Sequence, residues 1–189
     1  MSTNAASPTI TEIKFGGFGG QGVILAGIII GKAASIYDNK DATLTQSFGP
    51  EARGSACSAQ VIVSDQRILY PYVTKPNIMV TMSQDAFNRF APELHENGML
   101  IVEEDLVKPT GLPSSVKVFG IPATRIAEEL GRKMVLNIVM VGFFTAVTKL
   151  VDADAVRQAV KTSVPKGTEE LNLKAFDRGW EFGRKLVAA

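Results

Sequence analysis

The chain has 189 residues, 46% hydrophobic and 21% charged, which suits a globular protein long enough to bury one core, and a single domain is expected. Its 20 Lys and Arg against 19 Asp and Glu leave a net charge of +1 with no concentrated basic segment, which argues against nucleic-acid and membrane-surface partners. The one cysteine, Cys57, permits no internal disulfide and no charged, then apolar leader opens the chain, so the cytoplasm is the expected compartment.

Met1 to Thr9 is small, polar and aperiodic and is expected to be a frayed, disordered start, with one domain running from residue 10 to residue 189. Ile10 to Gly16 reads as a strand, Gly16-Gly17-Phe18-Gly19-Gly20-Gln21-Gly22 as a glycine turn, and Val23 to Ser35 as a helix. A short strand follows at Ala42 to Ser47. The next segment, Phe48 to Ser55, is a loop in which Gly49-Pro50 interrupts regular structure. Ala59 to Ser64 alternates apolar and polar residues, and Arg67 to Tyr70 resumes extended character after Asp65-Gln66, so the two are expected to pair as a hairpin.

Asn77 to Met82 is an apolar run suited to a buried strand, and Ser83 is placed to cap a helix from Gln84 to Glu96 that Gly98 closes. Met99 to Val102 and Val116 to Phe119 read as two more core strands. Pro122 opens a helix ending near Gly131, and Met134 to Leu150 supplies another. Asp152 caps a third from Ala153 to Ser163, and Thr168 caps a last one reaching Lys185. The most apolar stretch, Met134 to Thr148, contains Asn137 and is shorter than the roughly 20 apolar residues of a membrane span, so it reads as a buried core helix. Strands alternating with helices early and helices alone late predict a three-layer α/β/α, Rossmann-like domain with a mixed, mostly parallel sheet and a helical C-terminal part.

Gly17, Gly19 and Gly22 match the G-x-G-x-x-G pattern between a strand and a helix. Residues without Cβ let backbone N–H groups approach an anion, and the following helix turns its positive end to the same place. Phosphate or pyrophosphate is the natural guest of Gly17, Gly19, Gly20 and Gly22. Gln21 is placed to touch a ligand or to orient the loop through its amide. The dinucleotide form of the motif also needs an acid at the end of the second strand, where this chain has Ser47 and Phe48. That weakens an NAD-dependent oxidoreductase without removing it as an alternative. A purely structural subunit, with the glycines serving only close packing, is the other.

Gly17-Phe18-Gly19-Gly20-Gln21-Gly22, followed by Ser47-Phe48-Gly49-Pro50-Glu51-Ala52-Arg53-Gly54, resembles the gamma subunits of pyruvate, 2-oxoglutarate and branched-chain 2-oxoacid:ferredoxin oxidoreductases. The likeness continues through Ala59 to Ser64, Ile68 to Pro71, Gln84-Asp85-Ala86 and Ala127 to Gly142. Two departures stand out: Ser55 where the family often has a second glycine, and Asn77 where it often has an aspartate. The resemblance implies a complex that cleaves a 2-oxoacid, most closely 2-oxoglutarate and next pyruvate. Such a complex passes electrons through iron-sulfur clusters to ferredoxin and hands the acyl group to coenzyme A. It also implies alpha and beta subunits, with a ferredoxin-like delta subunit in some cases, and a gamma component concerned with coenzyme A and assembly. The isolated chain is expected to pair with itself through surfaces that otherwise meet partners.

The chain lacks the residues for that chemistry on its own. Stabilising an acyl carbanion falls to thiamine diphosphate with its magnesium, and no glycine-aspartate-glycine segment with a later asparagine pair is present to hold them. Iron-sulfur clusters need sets of thiolates, whereas Cys57 stands alone. These groups are therefore expected on partner subunits, with no metal site and no catalytic residue here. His95 reads as a solvated residue at a helix end and Cys57 as a small buried one. Glu51, Arg53 and Gly54 remain, an arginine in a glycine-flanked loop suited to fork onto a phosphate or to dock a partner.

Overall fold

The computed structural model describes residues 10–48 and 56–188, so the expected frayed start lies outside the described residues. Six strands, β1 (Ile10–Phe18), β2 (Asp41–Ser47), β3 (Ala56–Ser64), β4 (Ile78–Thr81), β5 (Met99–Glu103) and β6 (Lys117–Ile121), form one sheet in the order β2-β3-β1-β4-β5-β6. β1, β4, β5 and β6 are parallel, and β3 runs antiparallel to both β1 and β2. The mixed, mostly parallel sheet is thus as expected. The hairpin is not: β3 pairs with β2 and β1, and residues 67–70 form a loop. β3 already has a strand on each side, which leaves Arg67 to Tyr70 no edge to join.

The six helices are α1 (Val23–Lys32), α2 (Gln84–Phe90), α3 (Ala123–Glu129), α4 (Leu136–Thr148), α5 (Ala153–Lys161) and α6 (Glu169–Ala188). They form layers of unequal thickness. On one face, α1 and α4 pack on Ile13 and Phe15 of β1, Val61 and Val63 of β3 and Ile101 of β5, with α5 and α6 behind them. On the other, the short α2 covers Met79 and Leu100 with Phe87 and Phe90. Fully burying one such side chain stabilises the fold by about 1.5–3 kcal/mol.

Several boundaries differ from expectation for local reasons. The helix from Gln84 stops at Phe90 instead of Glu96. Pro92 has no N–H to continue the ladder, so Ala91–Glu93 tightens to a 3-10 turn. His95 consequently sits in the turn before β5, half-buried, its Nδ1 accepting from the Asn97 N–H. α1 ends at Lys32 and widens into a π-helical turn, Ala33–Tyr37, before β2. The helix expected from Met134 begins with a 3-10 turn at Lys133–Val135 and ends at Thr148, where Lys149 adopts left-handed backbone at φ 52°. Ser83 and Asp152 cap as expected, Ser83 Oγ accepting from the Ala86 N–H and Asp152 Oδ1 from the Asp154 and Ala155 N–H groups. Thr168 instead donates its hydroxyl to the Pro165 carbonyl.

The aspartate-to-asparagine departure at position 77 has a simple consequence. Asn77 Oδ1 accepts from the Glu12 N–H at 2.8 Å, so a neutral acceptor closes this bond beside β1 without a second carboxylate near Glu12. The Glu12 carboxylate is then left for the N–H groups of Thr74 and Lys75, both at 2.8 Å, which tie the loop before β4 to the sheet.

α4 is apolar all round because it is enclosed all round, by the sheet, α1, α3 and α6. Its approach to α6 is backbone against backbone: a Cβ on Gly142 would collide with the Phe176 carbonyl, and one on Gly179 with the Val139 carbonyl. Neither obstacle is a flexible side-chain end. Gly142→Ala and Gly179→Ala are each expected to destabilise the protein by about 1–3 kcal/mol or more, as an overpacked core does, read as a lower urea midpoint than wild type.

Candidate functional site

β1 delivers the glycine turn to the carboxyl end of the parallel strands, where open α/β sheets bind ligands. The strand continues through Gly16 and Gly17, so the turn itself is only Gly19 to Gly22. Gly17 is buried in β1, where a Cβ would meet Gln21 Oε1 and Val23. Gln21 acts as a staple: its N–H donates to the Phe18 carbonyl, Oε1 accepts from the Phe18 N–H at 2.7 Å, and Nε2 donates to the Met82 carbonyl at 2.9 Å. Of its two sequence readings, orienting the loop is the one this geometry supplies.

Gly20 and Gly22 have left-handed backbone at φ 99° and φ 73°, a region that favours glycine. The Gly22 carbonyl accepts the first bond of α1, from the Ala26 N–H, and a second from Asn137 Nδ2 at 3.2 Å. A Cβ on Gly22 would overlap that amide, whereas one on Gly20 would meet nothing within 4 Å. Packing therefore accounts for Gly17 and Gly22, and left-handed backbone alone for Gly20. Gly19 and Gly20 are both exposed.

Beside Gly20 and Gln21 lies a groove of about 260 Å³, whose other walls are Leu106, Thr124, Lys133, Met134 and Leu136. Two helix starts flank it. α1 has no side-chain cap and no acid in its first turn, and among the described residues its Gly22, Val23, Ile24 and Leu25 N–H groups have no acceptor. α4 likewise has neither cap nor acid. The neighbouring start of α3 is occupied, since the fully buried Glu103 carboxylate accepts from the Thr124 and Leu106 N–H groups. The start of α1 thus follows directly on two residues of the groove wall, Gly20 and Gln21, while the α4 start lines the groove at Leu136, whose N–H is taken by the Lys133 carbonyl of the preceding 3-10 turn.

Lys133 adds a cation, its side chain 77% exposed and its ammonium paired to Glu128 at 2.7 Å, a partner that raises its pKa. Met134 is 85% exposed at the rim, and the buried Thr124 hydroxyl has no hydrogen-bond partner. The groove can hold an anion at one end and an apolar chain at the other.

Of the residues singled out in the sequence, Gly17, Gly19, Gly20, Gln21 and Gly22 come together here. Glu51, Arg53 and Gly54 lie outside the described residues, but both flanks of their loop reach this pole. Ala56 pairs with Phe18, and Ser47 pairs with Ser58. His95 is at the opposite end of the sheet. Cys57 pairs with Gly17 but points into the core, where burial pushes its thiol pKa up. Lys133, Met134, Thr124 and Asn137 are the residues that sequence reasoning missed. Asn137 alone left a signal, as an isolated amide near the start of an apolar helix. Among the described residues no cluster of His, Cys, Asp or Glu could hold a metal ion, and no helix is long and apolar enough to cross a membrane.

The model of the pyruvate ferredoxin/flavodoxin oxidoreductase family matches residues 12–182. The chain belongs to this family. A 2-oxoglutarate synthase subunit KorC from Methanocaldococcus jannaschii is 49% identical over 177 residues, covering 93% of this chain and 95% of that protein. The solved gamma subunit of a keto/oxoacid ferredoxin oxidoreductase from Geobacter sulfurreducens is 40% identical, with a TM-score of 0.80 over 95% of this chain and 99% of that one. The fold also recurs in the 2-oxoglutarate:ferredoxin oxidoreductase of Magnetococcus marinus, solved with 2-oxoglutarate, coenzyme A and succinyl-CoA bound. The TM-score there is 0.85 at 19% identity, over 95% of this chain and 32% of that one. The gamma-subunit resemblance carried by the two loops thus holds along almost the whole chain.

Two measurements check the family member's site geometry. Gln21→Leu removes both staple bonds and is expected to cost about 1–3 kcal/mol in chemical denaturation, with hydrogen exchange at the Phe18 amide accelerated beyond that global loss. Cys57 in the native protein is expected to react with Ellman's reagent far more slowly than in urea, because a buried thiol with a raised pKa supplies little thiolate.

Proposed function

We propose that this chain is the gamma subunit of a cytoplasmic 2-oxoglutarate:ferredoxin oxidoreductase and that it receives coenzyme A at the glycine turn. The overall reaction converts a 2-oxoacid anion, coenzyme A and two oxidised ferredoxins into acyl-CoA, carbon dioxide, two reduced ferredoxins and one proton. Thiamine diphosphate, magnesium and the iron-sulfur clusters reside on alpha, beta and ferredoxin-like delta subunits, consistent with the lone cysteine here. The choice of 2-oxoglutarate follows the balance of likeness: 49% identity to the KorC subunit of M. jannaschii, against 34% to the pyruvate synthase subunit PorC of Methanothermobacter thermautotrophicus.

The observation that carries the coenzyme A reading is the uncapped start of α1, which follows directly on Gly20 and Gln21 in the wall of a groove that Lys133 and Met134 also line. The phosphates of coenzyme A suit the unpaired N–H groups after Gly20 and the ammonium of Lys133. Leu106 and Met134 suit the less polar pantetheine arm. Gly20, a glycine by its left-handed backbone, also leaves that entrance open. In this reading Glu51 and Arg53, whose loop springs from the strand ends beside the turn, lie at the boundary with the thiamine-bearing subunits. The NAD alternative loses ground, because β2, whose end should carry the ribose acid, is at the sheet edge with β3 between it and β1. The packing alternative is favoured only by Gly17 and Gly22.

Lys133→Glu is expected to weaken coenzyme A binding about tenfold or more in calorimetry, on the order of 1–3 kcal/mol for a charge-assisted bond, with unchanged thermal stability. Lys166→Glu, in the exposed turn before α6, is the control and should bind normally. Equal affinity in wild type and both variants would remove the groove from the reading. Copurified complex should reduce ferredoxin faster with 2-oxoglutarate than with pyruvate.

A further inference from the structure

A threonine inside a helix commonly gives its hydroxyl to a carbonyl one turn back, as Thr145 of α4 does to Val141 at 2.8 Å. Thr124 has no such turn behind it. It is the second residue of α3, and Gly120 and Ile121, one turn earlier in the chain, belong to β6. Its hydroxyl oxygen is buried and has no hydrogen-bond partner among the described residues. Ser58 and Thr81 share that condition, but both stand in strands, 1% and 0% exposed, whereas Thr124 lines the groove beside Gly20 and Gln21. A buried hydroxyl without a partner is costly, and at the wall of a groove a ligand can supply the partner.

The charges around Thr124 select the kind of ligand atom it can meet. Its N–H and that of Leu106 donate to the two oxygens of the fully buried Glu103 carboxylate, at 3.1 and 2.6 Å, so both residues of the groove wall are fixed to one negative group. Glu104 and Asp105 follow, and both pair with Arg125, the residue after Thr124. Three carboxylates against one guanidinium make this wall acidic, and a phosphate placed there would face like charge. The ammonium of Lys133 and the free N–H groups after Gly20 are the better places for phosphate. Against Leu106 and Thr124 the favoured guest is a neutral acceptor on an otherwise apolar chain.

We propose that the Thr124 hydroxyl donates to an amide carbonyl of the pantetheine arm, so that this residue recognises the arm of coenzyme A separately from its phosphates. The assignment rests on the coenzyme A reading of the groove. Amides between short alkyl stretches are what the arm offers, and Leu106, held on the same carboxylate as Thr124, gives those stretches an apolar wall.

Calorimetry on the full-length chain with coenzyme A, and competition against it by 4′-phosphopantetheine and by 3′-phospho-ADP, separates the arm from the nucleotide. Thr124→Val keeps the shape of the side chain and removes the hydroxyl. It is expected to weaken binding of coenzyme A and of 4′-phosphopantetheine about five- to tenfold, as the loss of one hydrogen bond does, and to leave 3′-phospho-ADP unchanged. Thr124→Ser keeps the hydroxyl and is expected to bind all three as wild type does. Thr124→Val is also expected to melt no lower than wild type, because an unpartnered hydroxyl has no internal bond to lose; a lower melting temperature would assign the hydroxyl to the fold and overturn the proposal. Equal binding of the arm by wild type and Thr124→Val, or equal losses for the two fragments, would overturn it too. Those results leave the coenzyme A reading standing wherever Lys133→Glu still weakens binding. A wild type that takes up no coenzyme A removes that reading and this assignment together.

Discussion

Everything at the functional end of this molecule depends on two side-chain amides that hold one turn from opposite sides. Gln21 ties the end of β1 to the end of β4, and Asn137, reaching out of α4, ties the start of α1 to the helical layer. Between them the backbone passes through left-handed conformations at Gly20 and Gly22. These bonds satisfy the turn from within. Among the described residues the N–H groups of the first turn of α1 are left without a partner. The same strictness explains why the neighbouring helix starts are closed: Ser83 caps α2 and Glu103 caps α3.

The antiparallel β3 is the second organising feature. Inserted between β2 and β1, it displaces the second strand to the sheet edge and brings the chain back to the glycine turn, so that Ala56 lies opposite Phe18. A nucleotide-binding fold of ordinary order would use the strand beside β1 to carry an acid for a ribose. Here that place is taken by a strand running the other way, whose first residue, Ala56, lies beside the glycine turn.

Much of this was legible in the sequence because it depends on local rules. Period, glycine and capping residues located the strands and helices, and Ser83 and Asp152 bond as their types require. What escaped was whatever depends on the partner an element finds. Arg67 to Tyr70 has extended character, yet β3 was already flanked on both sides. α2 is shorter than its run of helix-compatible residues suggests, because Pro92 cannot continue the hydrogen-bond ladder. In the site, Gln21 was readable as a loop-orienting amide, since its chemistry is carried by one side chain. Lys133 and Met134 were not, because only the folding of α4 against α1 brings them to the glycine turn. Likewise the glycines looked alike as letters and differ in place: Gly17 and Gly22 make room for amides, and Gly20 opens onto a groove.

The backbone contact of α4 with α6 bears on how the protein is made. α4 leaves the ribosome well before α6, and the flank that holds Gly142 has no cover until α6 arrives. The helical layer is therefore closed only when the last helix of the chain has docked, and truncation before α6 would leave the apolar flank of α4 uncovered.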